Sequence, residues 1–316
     1  MRSDAPSTTA AFVAAARELG MLLPDGVRIA DDPYGAAFAG SKLPRLLARS
    51  RVGAPLVQLP GLGTWVSYMQ VRTRVFDDVV RAFVARDARA QVVLLGAGYD
   101  CRALRLPELA HVPVFEVDHP TTQGHKRTVL AKLGTRSPAH YLTWNFEDRP
   151  MAELPDALAA AGLDRTAPVL TIWEGVTTYL TEAAIDASLR AIRAWSPAGE
   201  ASGARSEPRS GERSGPRSGG RANEQTSPPG SALALTYMTM GRVVPKSLAT
   251  RVVATFVRSR GEPFRWGSTP EVLAPFLAER GFTVTRDRSF DDVAHELLPP
   301  RLAHLVRRGS RFAVAS

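Results

Sequence analysis

The chain has a single cysteine among its 316 residues. That excludes an internal disulfide framework and suits a reducing, cytoplasmic compartment. No run near 20 residues long is free of charges, so no membrane-spanning helix is expected. The alanine-rich stretch at 9–16 is only weakly apolar, and Arg17-Glu18 follow it at once, which makes a poor secretion signal. The 6 histidines show no His-x-x-x-His spacing and none pairs with Cys101, so no metal is expected. The net charge is +9, yet arginine is spread throughout rather than gathered with aromatics on one element. That distribution speaks against nucleic acid as a partner. An acidic small molecule or an acidic peptide tail makes better use of such a field.

What is present is a core. A hydrophobic content of 44% is ordinary for a globular chain, and this length can bury one large core or two small ones. Its organising stretch is Gln91-Val92-Val93-Leu94-Leu95-Gly96-Ala97-Gly98-Tyr99-Asp100. A short apolar run before a glycine turn reads as a buried parallel strand. Gly96 and Gly98 permit a tight turn and close approach of the backbone to a ligand. A second apolar run, Val112–Val117, ends in Asp118, twenty residues past Gly98. An acid at the tip of the second strand can accept from both ribose hydroxyls of a nucleoside.

The dinucleotide fingerprint would place a third glycine at 101, where Cys101 stands. That glycine lets helix and strand pack closely beside a pyrophosphate. Its absence argues against NAD and favours a nucleoside cofactor without phosphates, S-adenosyl-L-methionine (SAM). An NAD(P)-dependent oxidoreductase and a non-catalytic nucleoside-binding protein remain the alternatives. Cys101 itself reads as a small packing residue.

The segment Val93–Pro107 resembles the first motif of the leucine carboxyl methyltransferase family. So does Phe115-Glu116-Val117-Asp118-His119-Pro120, with Lys126 following. Further pieces match in order: Asp32-Pro33-Tyr34, Arg72-Thr73-Arg74 with Phe76-Asp77-Asp78, Trp173-Glu174-Gly175 with Tyr179-Leu180, and Gly261-Glu262-Pro263-Phe264. The resemblance spans residues 10–195 and 231–316. It implies a SAM-dependent O-methyltransferase that yields S-adenosyl-L-homocysteine (SAH). It also implies that Arg72 takes the cofactor's carboxylate, through the paired hydrogen bonds a guanidinium offers, and that Glu174 contacts the cofactor. In methyltransferases of this architecture an Asp or Asn after the third strand accepts from the adenine amino group. Asn145 fills that place where the family more often has aspartate, and Phe146 packs on the adenine. Tyr179, one turn past Glu174, is expected to orient the substrate or to pack.

The remaining chain is read in order. Residues 5–20 form an amphipathic helix with Phe12 and Leu19 toward the core and Arg17 as a surface charge. Residues 41–63, rich in Pro and Gly, are loops and short helical pieces over the pocket. A long helix follows at 64–86, with Val71, Val75, Val79 and Phe83 at four-residue spacing. The helix opened by His119-Pro120 ends near Gly134. His119 reads as its cap or a surface group, and His125 and Lys126 as its flank. Tyr141–Trp144 and Val169–Trp173 are the third and fourth strands, and Thr181 caps a helix to Trp195.

From Ser196 to Ser231 the composition turns to Gly, Ser, Pro, Arg and Glu, with arginines at 205, 209, 213, 217 and 221. Such a segment cannot bury enough apolar surface to offset its ordering entropy, so a disordered insertion at about 196–231 is expected. Leu233–Met238 is the fifth strand, with helices at 246–258 and 269–280. Phe282–Thr285 and Arg311–Val314 close the fold as an antiparallel, hairpin-like edge.

The alternation of strands and helices gives an α/β fold: a class I SAM-methyltransferase-like, Rossmann-like, doubly wound, mostly parallel sheet of seven strands. Residues 1–90 form an N-terminal helical extension and lid, and 91–316 the SAM-binding core. A carboxylate acceptor, on a small molecule or a peptide terminus, needs no general base, because it is ionised at neutral pH. A phenol or alcohol would need one, with His119 or Glu174 nearest.

Overall fold

The computed structural model describes residues 6–39, 53–146, 148–196, 230–239, 264–306 and 308–316. The expected insertion at 196–231 falls almost wholly outside the described residues, as do the expected helix at 246–258 and the Gly261-Glu262-Pro263 motif.

Seven strands form one sheet in the order β3-β2-β1-β4-β5-β7-β6. They are β1 (Gln91–Leu95), β2 (Val114–Asp118), β3 (His140–Thr143), β4 (Val169–Trp173), β5 (Ala232–Met238), β6 (Val284–Ser289) and β7 (Ser310–Ala315). The first five run parallel, and β7 is antiparallel to both β5 and β6. Strands β1, β2 and β4 are buried at every residue. Both faces of the sheet are therefore covered, and alternate residues feed opposite layers. Val92 and Leu94 join one core with Val75, Val79 and Phe83 of the Leu62–Val84 helix. Val93 and Leu95 join the other with Ile185, Leu189 and Ile192 of the Glu182–Trp195 helix.

The order reverses direction at β1, where β2 lies on one side and β4 on the other. In open α/β sheets the crevice at such a reversal, beyond the carboxyl ends of the strands, is where ligands bind. The expected caps are present: His119 Nδ1 accepts from Thr121 N at 3.3 Å, and Thr181 Oγ1 from Ala184 N at 3.2 Å. Among the described residues, no helix is long and apolar enough to cross a membrane.

Three expectations are corrected. The closing strands are not a simple hairpin, because the Phe290–Leu297 and Pro300–Ala303 helices lie between them. Phe12 is 39% exposed and stacks on Trp65 at 5.3 Å instead of entering the core. Arg17 and Lys126 are not surface groups, being 6% and 1% exposed.

Candidate active site

A cleft opens at the β1/β2/β4 tips. Gly96, Gly98, Asp118, Arg72, Asn145, Phe146, Glu174 and Tyr179 all line it, so every site residue expected from the sequence reaches one cavity. From the N-terminal helix, Ala10, Val13 and Arg17 also line it.

The glycine turn is fixed by its surroundings. Gly96 has a φ of 71°, and a Cβ there would lie 2.5 Å from Val176 Cγ2. Only glycine tolerates that backbone and that contact. Asp118, at the end of β2, is 8% exposed. Its Oδ1 accepts from His119 N at 2.6 Å and its Oδ2 from Gly98 N. Burial pushes its carboxyl above the ordinary aspartate range, against the pull of those two N–H donors. A carboxylate has about four acceptor sites. Each oxygen of Asp118 uses one on the backbone and keeps another for a hydroxyl in the cleft.

Across the cleft, Arg72 Nε lies 2.6 Å from Glu174 Oε1, and Arg102 Nη1 lies 2.8 Å from Glu174 Oε2. Burial alone would raise the Glu174 carboxyl. Arg102 and Arg72 outweigh it and hold the group below the ordinary glutamate range. Arg102 also binds the Asp100 carboxylate through Nη1, and Asp77 Oδ1 through Nε at 2.8 Å. Burial works against Asp100 in the same way, and Arg102, Arg17 and Arg105 reverse it, so this carboxyl sits well below its usual range.

Two buried cations hold the turn. Arg17 Nη2 donates to Tyr99 O at 2.6 Å, while its Nε lies 2.9 Å from Asp32 Oδ2. Lys126 Nζ donates to Asp100 O and to Glu116 Oε2. Glu116, two residues before Asp118, is pushed up to about 7 by burial, against the pull of Lys126. The sequence reading missed Asp32, Asp100, Arg102 and Glu116 as members of this network. A glutamate inside the apolar run Val112–Val117 was the signal for the last of them.

His119 is 7% exposed. Its Nδ1 accepts the Thr121 N–H as the helix cap, so the neutral ring carries its proton on Nε2. The Asn145 amide donates to Asp148 Oδ2. Tyr179 ends a short 3-10 turn, Thr177–Tyr179, and its ring stacks on Phe264 at 5.7 Å and 20°. Among the described residues, no group of three or more His, Cys, Asp or Glu could hold a metal ion.

A family model described as leucine carboxyl methyltransferase matches residues 10–193. A Streptomyces coelicolor protein, provisionally named an S-adenosyl-L-methionine-dependent methyltransferase, is 35% identical over 198 residues, or 61% of this chain and 63% of that protein. A Mycolicibacterium paratuberculosis protein of the same provisional name is 35% identical over 208 residues, 64% of each chain. The chain thus spans under two thirds of the length of the curated relatives it matches. A methyltransferase structure from Thermobifida fusca, also provisional in name, covers 99% of this chain and 95% of its own, with a TM-score of 0.52 at 17% identity. A DUF574-family structure from Streptomyces avermitilis covers 95% and 96%, with a TM-score of 0.53 at 17% identity. These two likenesses speak to the fold alone, a class I methyltransferase sheet.

Proposed function

Because the chain belongs to the leucine carboxyl methyltransferase family, we propose that it transfers a methyl group from SAM to an oxygen, and that this oxygen is a carboxylate on a small molecule or a peptide terminus. The observation that carries the cofactor is Asp118. Its two oxygens face the cleft beside the glycine turn with acceptor capacity left over, which suits the vicinal hydroxyls of a ribose. Arg72 would hold the cofactor's carboxylate, with Glu174 fixing its guanidinium. Phe146 would pack on the adenine, and Asn145 would accept at its edge. Residues 1–90 would serve as the extension that closes over the cofactor, a reading supported by Ala10, Val13 and Arg17 lining the cleft.

The bound cofactor would supply a sulfonium methyl group: the acceptor oxygen's electron pair forms the C–O bond as the C–S pair returns to sulfur. The residues present would align the acceptor and exclude water.

Support for a carboxylate comes from the absence of a poised base among the described cleft residues. Glu174 has an arginine on each oxygen and a lowered pKa, so it is a weak proton acceptor. His119 commits Nδ1 to its helix and presents N–H at Nε2. The acceptor sites that the two backbone donors leave on Asp118 would be taken by the ribose hydroxyls. An acceptor that arrives ionised needs none of them.

Calorimetric titration with SAH and with NAD tests the cofactor. Binding of SAH and not NAD is expected, and the reverse would make the protein an oxidoreductase. Labelled methyl transfer from SAM to free acids and to phenols then tests the acceptor. Transfer to phenols alone would overturn the carboxylate, and SAH binding without any transfer would leave a nucleoside-binding protein.

A further inference from the structure

We infer that Arg265 is the anchor for the acceptor's carboxylate, in the same cleft as the Tyr179 ring. This rests on the methyl-transfer reading above and assigns the half of the cleft that the cofactor does not use.

Among the described residues, three arginines line the cleft: Arg17, Arg72 and Arg265. The first two are taken. Arg17 binds Asp32 and the Tyr99 carbonyl, and Arg72 binds Glu174. Arg265 is exposed, and among the described residues its guanidinium has no carboxylate partner. A SAM molecule brings one carboxylate, for which Arg72 is placed. A second carboxylate entering the same cleft needs a second cation, and Arg265 supplies it without breaking a buried pair.

The position of Arg265 is set from both sides. Its backbone N donates to Thr178 O at 2.7 Å, and Trp266 N meets the same carbonyl at 3.3 Å. Before it, Phe264 stacks on Tyr179. After it, Trp266 is 9% exposed and packs beside Phe276 at 5.9 Å. The segment is thus pinned to the turn that follows Glu174, while Arg265 itself stays exposed. Phe264, the residue before Arg265, is 45% exposed although it stacks on Tyr179. A planar fork and an aromatic ring lining one cleft suit a monocarboxylate with a flat or apolar body.

The test uses the full chain saturated with SAH. Benzoate and N-acetyl-L-leucine are titrated by calorimetry against their amides, benzamide and N-acetyl-L-leucinamide. The acids should bind at least about tenfold more tightly than the amides, the scale of one charge-assisted pair. Arg265→Leu should erase that preference, Arg265→Lys should keep part of it, and SAH affinity should stay as in the wild type for both. Three results would overturn the assignment: acids and amides indistinguishable in the wild type, an undiminished acid preference in Arg265→Leu, or a loss of SAH affinity in that variant, which would make Arg265 a cofactor residue. Failure of the wild type to bind SAH would instead remove the methyl-transfer reading itself.

Discussion

Arg72 and Glu174 stand 102 residues apart in sequence and 2.6 Å apart across the cleft, one on a helix that precedes the sheet and one at the tip of β4. The pair is buried and shared with Arg102, so neither partner can be lost quietly. Removing one member of a buried pair strands the other charge and costs about 3–5 kcal/mol.

Glu174→Gln should therefore lower stability by about 3 kcal/mol in urea denaturation, the low end because Arg102 keeps Asp77 and Asp100. The pH dependence has a definite sign. The folded carboxyl lies below its ordinary value of 4.5, so its contribution is complete above pH 4.5 and is lost as pH falls through the folded value. The stability gap between wild type and Glu174→Gln should narrow steadily in acid. A gap that is constant from pH 6 to about pH 3 would show that Glu174 is not held ionised by its arginines.

Asp118→Asn should keep the fold and lose the nucleoside. The amide oxygen can still accept from one backbone N–H, so the change in stability should be modest. Two hydrogen bonds to a charged acceptor are worth about 1.5–3 kcal/mol each, so SAH affinity should fall at least a hundredfold. Unchanged SAH affinity with a native circular dichroism spectrum would mean that the ribose lies elsewhere.

The sheet was legible because its strands differ in how they are buried. Strands β1 and β4 are apolar and covered on both faces, and the sequence reading placed Gln91–Leu95 and Val169–Trp173 to the residue. Strand β6 is an edge strand, Val-Thr-Arg-Asp-Arg-Ser, whose outward arginines break the alternation, and it runs later than the expected Phe282–Thr285. The helix after it announced itself through Ser289, whose Oγ accepts from Asp292 N at 3.2 Å, and through Asp291 and Asp292 in its first turn. At only 8 residues the helix is too short for its apolar periodicity to stand out in the sequence. The site was half legible. Residues at strand tips follow from topology. The buried cations Arg17 and Lys126 do not, because their acid partners Asp32 and Glu116 sit on other elements and helical periodicity sees only one element at a time.

Lys126 and Glu116 form the least visible part of that network and give the third prediction. Both are 1% exposed, and Lys126 Nζ also holds the Asp100 carbonyl at the end of the glycine turn. Lys126→Met should destabilise by about 3–5 kcal/mol, and adding Glu116→Gln should recover part of the loss, because a glutamine is buried without the cost of first protonating a carboxylate. SAH affinity should remain weakened in the double variant, since the Asp100 carbonyl has still lost its donor. A double variant that restores stability and SAH affinity together would show that the lysine serves only the pair and not the turn.

Gly175 separates backbone strain from side-chain crowding. Its φ is 73°, and a Cβ there would lie 2.6 Å from Arg72 Nη2. Gly134 has a similar φ of 67°, but a Cβ there meets nothing within 4 Å. Alanine at either position bears the left-handed penalty of about 1–2 kcal/mol. Only at 175 must it also push the guanidinium off the backbone it lies against and away from Glu174. Gly134→Ala should thus lose stability and keep SAH affinity, whereas Gly175→Ala should lose a similar or larger amount of stability and at least tenfold in SAH affinity. Calorimetry on the two variants at a temperature where both are folded makes the comparison. Equal SAH affinity in the two would mean that the placement of the Arg72 guanidinium does not matter to the ligand, and Arg72 would have to be removed from the cofactor site.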